Sequence, residues 1–173
     1  MELSGAGYLY AIASLAMALV AFSAIVLTLQ QITDARDPKR LKILRQHARA
    51  YIELGLSSVG AAMLPPSLAA CGVPPLATWR WSSLIIAIGF IYHACLILKR
   101  FIAFQRSADL KIPLRIIFAT AVNALVIISL LLNVTGLLFE PSAAPVVVAA
   151  SWRFVAAIIA FMLTYEEFLD GRT

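Results

Sequence analysis

Three ionisable side chains interrupt long apolar segments of the sequence: Glu53, His93 and Arg153. An ionisable group inside a lipid bilayer is unstable unless it is paired or hydrated, so each of the three is a candidate for a polar pathway. At a helical rise of about 1.5 Å per residue, we expect Glu53 near the middle of the bilayer. Arg153 is then somewhat closer to the outer surface of the membrane, and His93 somewhat closer to the inner surface. We expect an ion pair between Glu53 and Arg153, which either joins two helices or lines a pathway.

His93 has two interpretations. Its imidazole titrates near neutral pH, so it is suited to relay protons. Alternatively, it donates a hydrogen bond to a neighbouring helix, for instance to Glu53 or to a serine. Ligation of haem would need a second axial ligand, and the other histidine, His47, lies in a basic stretch at the level of the lipid headgroups. We therefore expect no haem and no other cofactor.

Asn123 and Asn133 lie in the fourth apolar segment. Asparagine side chains commonly join membrane helices by hydrogen bonds, which is the first interpretation of both residues. The alternative is a functional polar cluster, in which Asn133 lies near Arg153 and Thr135.

Small side chains recur at intervals of three and four residues in the first apolar segment, at Ala11, Ser14, Ala18 and Ala21. Positions with this spacing share one face of a helix. Faces of small residues let two helices approach closely. We expect this face to pack against another helix, either within the chain or in a second subunit.

The composition determines which elements must position these residues. Of 173 residues, 62% are hydrophobic and only 13% are charged, whereas a soluble domain is about 45–50% apolar and about 25% charged. A soluble domain of this size could not bury so much apolar surface. The composition therefore excludes a soluble enzyme, a coiled coil and a disordered chain, and it predicts an all-α, polytopic integral membrane protein.

Five segments are long enough to cross about 30 Å of hydrocarbon as helices. Proline residues separate them, and proline is tolerated in the first turn of a helix. Pro65-Pro66 and Pro74-Pro75 enclose one connection, and we expect the second helix to begin earlier than its span, just after Pro38. The five spans, which we group as a single transmembrane domain over residues 1–173, run roughly over 7–29, 45–64, 81–98, 114–139 and 146–168.

The charges orient these spans. The connection at 34–49 contains six basic residues and the one at 99–115 contains five, whereas residues 65–78 carry no charge. Connections rich in Lys and Arg remain on the cytoplasmic side of a membrane. The sequence therefore predicts a bundle of five transmembrane helices with its N-terminus outside and its C-terminus in the cytoplasm. Since topology accounts for the basic residues, we expect no nucleic-acid partner.

The sequence contains no motif that indicates catalysis or metal binding. It has no GxSxG, HExxH, Walker or GxGxxG pattern, and Cys71 and Cys95 lie at different depths, which makes a disulfide between them unfavourable. We therefore predict no catalytic, cofactor-binding or metal-binding residues and no enzymatic activity.

Three short segments carry a resemblance to known proteins: FSAIV at 22–26, WRWSS at 79–83 and LLNVTGLLF at 131–139. With these segments the chain resembles an uncharacterised family of small five-helix proteins of bacterial inner membranes. The resemblance implies a multi-pass protein of the bacterial inner (cytoplasmic) membrane. It implies no activity.

The polar residues inside the spans favour a homo-oligomeric ion channel or small transport protein with an intramembrane polar cluster. Its expected partners are the lipid bilayer and further copies of itself. The alternative is a non-catalytic accessory or scaffold subunit of a larger complex, whose partner is another membrane protein. The short connections and the lack of a soluble domain motivate this alternative.

Overall fold

The computed structural model describes residues 3, 5–33, 38–105 and 114–170, and every regular element among them is an α-helix. The prediction of an all-α chain is confirmed for this part of the protein. As expected, the second helix begins at Pro38. The helices are α1 (Ala6–Thr33), α2 (Pro38–Ala70), α3 (Pro75–Gln105), α4 (Leu114–Thr135) and α5 (Ala144–Asp170).

Within the described ranges, four helices are long and apolar enough to cross a membrane, and α2 is not among them. The first half of α2 is rich in Lys and Arg, and Glu53 follows near its middle. Five apolar spans were expected, and four are confirmed as suited to crossing. They are Ala6–Leu29, Pro75–Leu96, Ile117–Thr135 and Ala144–Met162.

The chain divides into two compact units. The first unit comprises Met1–Ser67 and Ala150–Thr173, and so contains α1 with most of α2 and α5. The second unit is Leu68–Ala149, which contains α3 and α4. Each unit holds a different set of the predicted polar residues.

Helix α2 does not end at Leu64, as the proline pair after it predicted. Pro65 and Pro66 are buried inside the helix, which continues to Ala70. Proline is tolerated inside membrane helices because neighbouring groups satisfy the backbone carbonyls that it leaves free.

The end of α2 is set instead by Gly72, whose φ of 83° is the left-handed conformation that favours glycine. Gly72 N donates to Ala69 O at 3.0 Å and Val73 N donates to Leu68 O at 3.1 Å. These two bonds form a Schellman motif, which closes the helix.

Helix α4 is shorter than the predicted segment 114–139, because it ends at Thr135. Gly136 follows with a φ of 65°, and its N–H donates to Leu132 O at 2.9 Å. A glycine in this conformation ends a helix although the apolar sequence continues. Residues 136–139 therefore form a non-helical, apolar connection instead of the last turn of a span.

In the first unit, α1 and α2 approach closely at Gly55. A Cβ atom placed there would lie 2.5 Å from Val20 Cγ2 and 3.9 Å from Ala16 O. A side chain at this position would force Val20 to shift, so Gly55 allows α2 to pack closely on α1.

The contacts of helix α5 in the same unit include a buried hydrogen bond and an aromatic cluster. Ser58 Oγ donates to Ala150 O at 2.9 Å in a buried position. The ring of Phe161 contacts Tyr51 at 5.5 Å and Phe22 at 5.9 Å between ring centroids, both edge to face. These contacts connect α1, α2 and α5.

Candidate functional site

Arg153 is the charged residue that lies deepest in an apolar helix of the first unit. It is nine positions after Ala144 in the candidate span Ala144–Met162, or about 14 Å along the helix, which is near the middle. The side chain is 5% exposed, and Ala150 and Ala157, one turn away on either side, are fully buried. Arg153 therefore lies on the buried face of α5.

Glu53 has a different environment from the one expected. Its Oε1 accepts a hydrogen bond from Arg49 Nε at 2.6 Å, one turn earlier on α2. The side chains of Arg49 and Glu53 are 76% and 41% exposed. Sequence reasoning expected Arg153 as the partner of Glu53 and did not identify Arg49, although the spacing of four residues is a known signal for an ion pair on a helix.

The expected distance of Glu53 from the end of α2 was also wrong. Because α2 continues to Ala70, Glu53 lies about 25 Å from that end of the helix, not about 16 Å. This distance approaches the thickness of the hydrocarbon core, about 30 Å. Glu53 is therefore near one end of any span that α2 could form, whereas Arg153 is near the middle of its own.

The second unit contains Asn133, whose side chain is fully buried. Its Nδ2 donates to Ser83 Oγ at 2.8 Å and to Ser142 O at 3.1 Å, and its Oδ1 accepts from Ser142 N at 2.9 Å. One amide thus joins α3, α4 and the connection that follows α4. The interpretation of Asn133 as a helix-joining residue is confirmed. Neither Ser83 nor Ser142 was identified from the sequence.

His93 and Asn123 lie at one level of the second unit. The Ser83–Asn133 hydrogen bond joins the start of α3 to the end of α4, so these two packed helices run in opposite directions. His93 comes ten positions after Ser83, and Asn123 ten positions before Asn133. Both side chains are half-buried, and neither is without a partner.

The small residues of α1 do not form its contact face within the chain. Ala11, Ser14, Ala18 and Ala21 are all exposed. The expectation that they pack inside the chain is therefore wrong, and the alternative of a second subunit stays a prediction. The face of α1 that is buried instead contains Leu9, Ile12, Ala13, Ala16 and Ser23.

Two buried hydroxyls in the described part of the chain, Ser23 Oγ and Ser82 Oγ, have no hydrogen-bond partner. The residues described contain no group of three His, Cys, Asp or Glu side chains that could hold a metal ion. Cys71 and Cys95 are free and exposed. The arrangement offers one buried guanidinium and buried amide and hydroxyl groups, which can bind anions and join helices.

The fold and these groups define a class: a helical protein with four helices suited to cross a membrane and a buried arginine midway along one of them. No family model, no curated protein and no solved structure matches the chain. The resemblance to small inner-membrane proteins therefore stays a prediction.

Proposed function

We propose that this chain is an integral protein of the bacterial inner membrane that crosses the bilayer five times. The exposure of its large apolar side chains supports this proposal, because such contiguous surface is unfavourable in water and favourable in lipid. Exposed examples on the four apolar helices are Leu15, Ile25, Ile88, Phe118, Leu125 and Ile159.

In this proposal α2 supplies the fifth crossing. Residues 54–70 of α2 contain no charge and extend for about 26 Å, which nearly matches the hydrocarbon core. Arg49 and Glu53 then lie at the cytoplasmic interface, where their exposure and their mutual hydrogen bond are easily accommodated. The basic residues before them retain that end in the cytoplasm, which leaves the N-terminus of the chain outside.

Within this topology the chain acts as a homo-oligomeric ion channel or small transport protein that passes anions. The observation that carries this function is the burial of Arg153 in the middle of an apolar helix. Arginine is always charged and is the residue used in pores and sites that recognise anions. Anion flux into liposomes that contain the purified protein tests the proposal.

The exposed small residues of α1 provide the subunit contact. They lie on the side of α1 opposite its buried face, so they are accessible to a helix of a second copy. Because Arg153 is buried within the chain, the proposed anion pathway runs inside each protomer instead of on an axis between protomers.

Replacement of Ala18 by leucine should shift the purified protein from an oligomer towards the monomer of 18.8 kDa. A leucine on this face prevents the close approach of two helices that small residues allow. Native mass spectrometry of the protein extracted in mild detergent measures the change. Ala24→Leu is the matched control, because Ala24 is exposed on α1 but lies about 120° around the helix from Ala18. Equal oligomeric states for the two variants would show that the face is not the subunit contact.

The accessory-subunit function is supported by the same exposed face, since the helix of a different membrane protein would fit it equally well. The two functions differ in what co-purifies from the native membrane. A stable mass that includes another polypeptide would favour the accessory function and identify its partner.

A further inference from the structure

Arg80 lies against the end of α4 in the second unit. A Cβ placed on Gly136 would lie 3.3 Å from Arg80 Nη2, so the guanidinium lies directly over this glycine. Arg80 is exposed, and it makes no hydrogen bond or ion pair with the described residues of the chain. Glu140, four positions after Gly136, is also exposed, and it forms no ion pair with Arg80. The guanidinium of Arg80 is thus held against α4, and its N–H groups remain available to donate hydrogen bonds to a ligand.

The connection next to this cation is unusually apolar. Leu137 and Leu138 are 78% and 73% exposed, the two highest values among the exposed large apolar side chains of the described residues. Only Gly136 separates them from the candidate span Ile117–Thr135, and their backbone is not helical. Trp81, one position after Arg80, is exposed as well. A cation, an indole ring and two leucines therefore share one end of the second unit.

We infer that this surface, formed by Arg80, Trp81, Leu137 and Leu138, binds one anionic phospholipid molecule. The guanidinium offers paired N–H donors that match the oxygens of a phosphate group. Tryptophan is typical of the level at which lipid headgroups meet hydrocarbon. The leucines contact the upper part of the acyl chains. A free phosphate ion would satisfy Arg80 but would leave both leucines in water, so the apolar half of the surface selects a lipid.

The inference rests on membrane insertion, which is part of the proposed function, but not on anion transport. It concerns only the second unit and does not involve Arg153. If the protein binds the lipid but does not transport anions, the proposed transport function is contradicted and the lipid site is not.

Titration of the detergent-solubilised full chain with phosphatidylglycerol, followed by native mass spectrometry, tests the inference. We expect one lipid to bind to the unmodified protein at least about fivefold more tightly than to Arg80→Gln. Leu137→Ser/Leu138→Ser should weaken binding similarly, and Arg80→Lys should weaken it less than Arg80→Gln. Glu140→Gln is the control, which removes a charge from the same connection and should bind at least as tightly as the unmodified protein.

Two results would overturn the inference. The first is equal lipid affinity of Arg80→Gln and the unmodified protein, because Arg80 would then take no part in binding. The second is displacement of the lipid by millimolar inorganic phosphate with no effect of the leucine substitutions, because the surface would then be an anion site. Arg80 is exposed, so its substitution leaves the core intact, and the melting temperature of each variant verifies this.

Discussion

Replacement of Asn133 by leucine should lower the free energy of unfolding by about 2–4 kcal/mol. Three hydrogen bonds end on this buried amide. Between membrane helices such bonds contribute about 0.6 kcal/mol each on average, and a buried polar group left without its partner costs about 1–3 kcal/mol more. Leucine is also larger than asparagine, so overpacking of this fully buried site adds to the loss of the hydrogen bonds. Thermal or denaturant unfolding in detergent measures the change.

Ser142→Ala is the control that separates the loss of the Asn133 amide from the effect of any substitution in the connection after α4. Ser142 contacts Asn133 only through its backbone N–H and C=O, so alanine retains both bonds. We expect a change within about 0.5 kcal/mol for this variant. Ser83→Ala removes one acceptor and should fall between the two. If Asn133→Leu is as stable as Ser142→Ala, the amide does not hold α3, α4 and the connection together.

The second large effect concerns Gly55. Gly55→Ala should be about 1–3 kcal/mol less stable than Gly60→Ala, which is the cost of overpacking a tight contact. A methyl group at Gly55 would lie 2.5 Å from Val20 Cγ2, whereas a methyl group at Gly60 meets no atom within 4 Å. Both substitutions lie inside α2 and gain the same helix propensity, so their difference isolates the contact. Unfolding free energies of the two variants measure it.

Val20→Ala provides the complementary test, because it removes the atom that a methyl group at Gly55 would meet. The double variant Val20→Ala/Gly55→Ala should recover most of the stability that Gly55→Ala loses. A double-mutant cycle then gives a coupling energy between the two positions. Additive effects would mean that α1 and α2 do not meet at this point.

The presence of the helices could be predicted from the sequence, but two of their ends could not. Long apolar segments indicate helices in any membrane protein. The proline pair predicts an end of α2 at Leu64, yet Pro65 and Pro66 lie inside the helix. The true signals were Gly72 and Gly136, whose left-handed conformation closes α2 and α4. Proline two positions after Gly72 is a known signal of a helix end. No such signal distinguishes Gly136 from Gly60, which lies inside a helix, because the next proline follows each of them five positions later.

The buried face of α1 could not be predicted for a physical reason. In water, a helix reveals its inner face by the contrast between apolar and polar positions. Almost every position of α1 is apolar, since a face directed at lipid is as apolar as one directed at protein. The size of the side chains was the one remaining signal for a packed face. It indicated Ala11, Ser14, Ala18 and Ala21, which are exposed.

Among the candidate site residues, the sequence identified Arg153 and Asn133 but not what surrounds them. The partners of Asn133 lie fifty positions before it and nine positions after it, so they follow from tertiary packing alone. The expected position of Glu53 depended on where α2 ends, and because the helix ends at Ala70 and not at Leu64, Glu53 lies farther from that end than the sequence predicted. The position of Arg153 along α5 is close to the expected one because α5 begins close to where the sequence predicted.

The most direct test of the proposed function is anion flux into liposomes that contain equal amounts of folded Arg153→Gln, Arg153→Lys or unmodified protein. We expect Arg153→Gln to reduce flux by about tenfold or more, since a hydrogen bond to a charged group contributes about 1.5–3 kcal/mol. Arg153→Lys retains the charge and should retain part of the flux. Arg49→Gln, which removes an exposed arginine, should leave flux unchanged. Flux per folded molecule that is the same for Arg153→Gln and the unmodified protein would contradict the account and leave Arg153 as a residue that only joins helices.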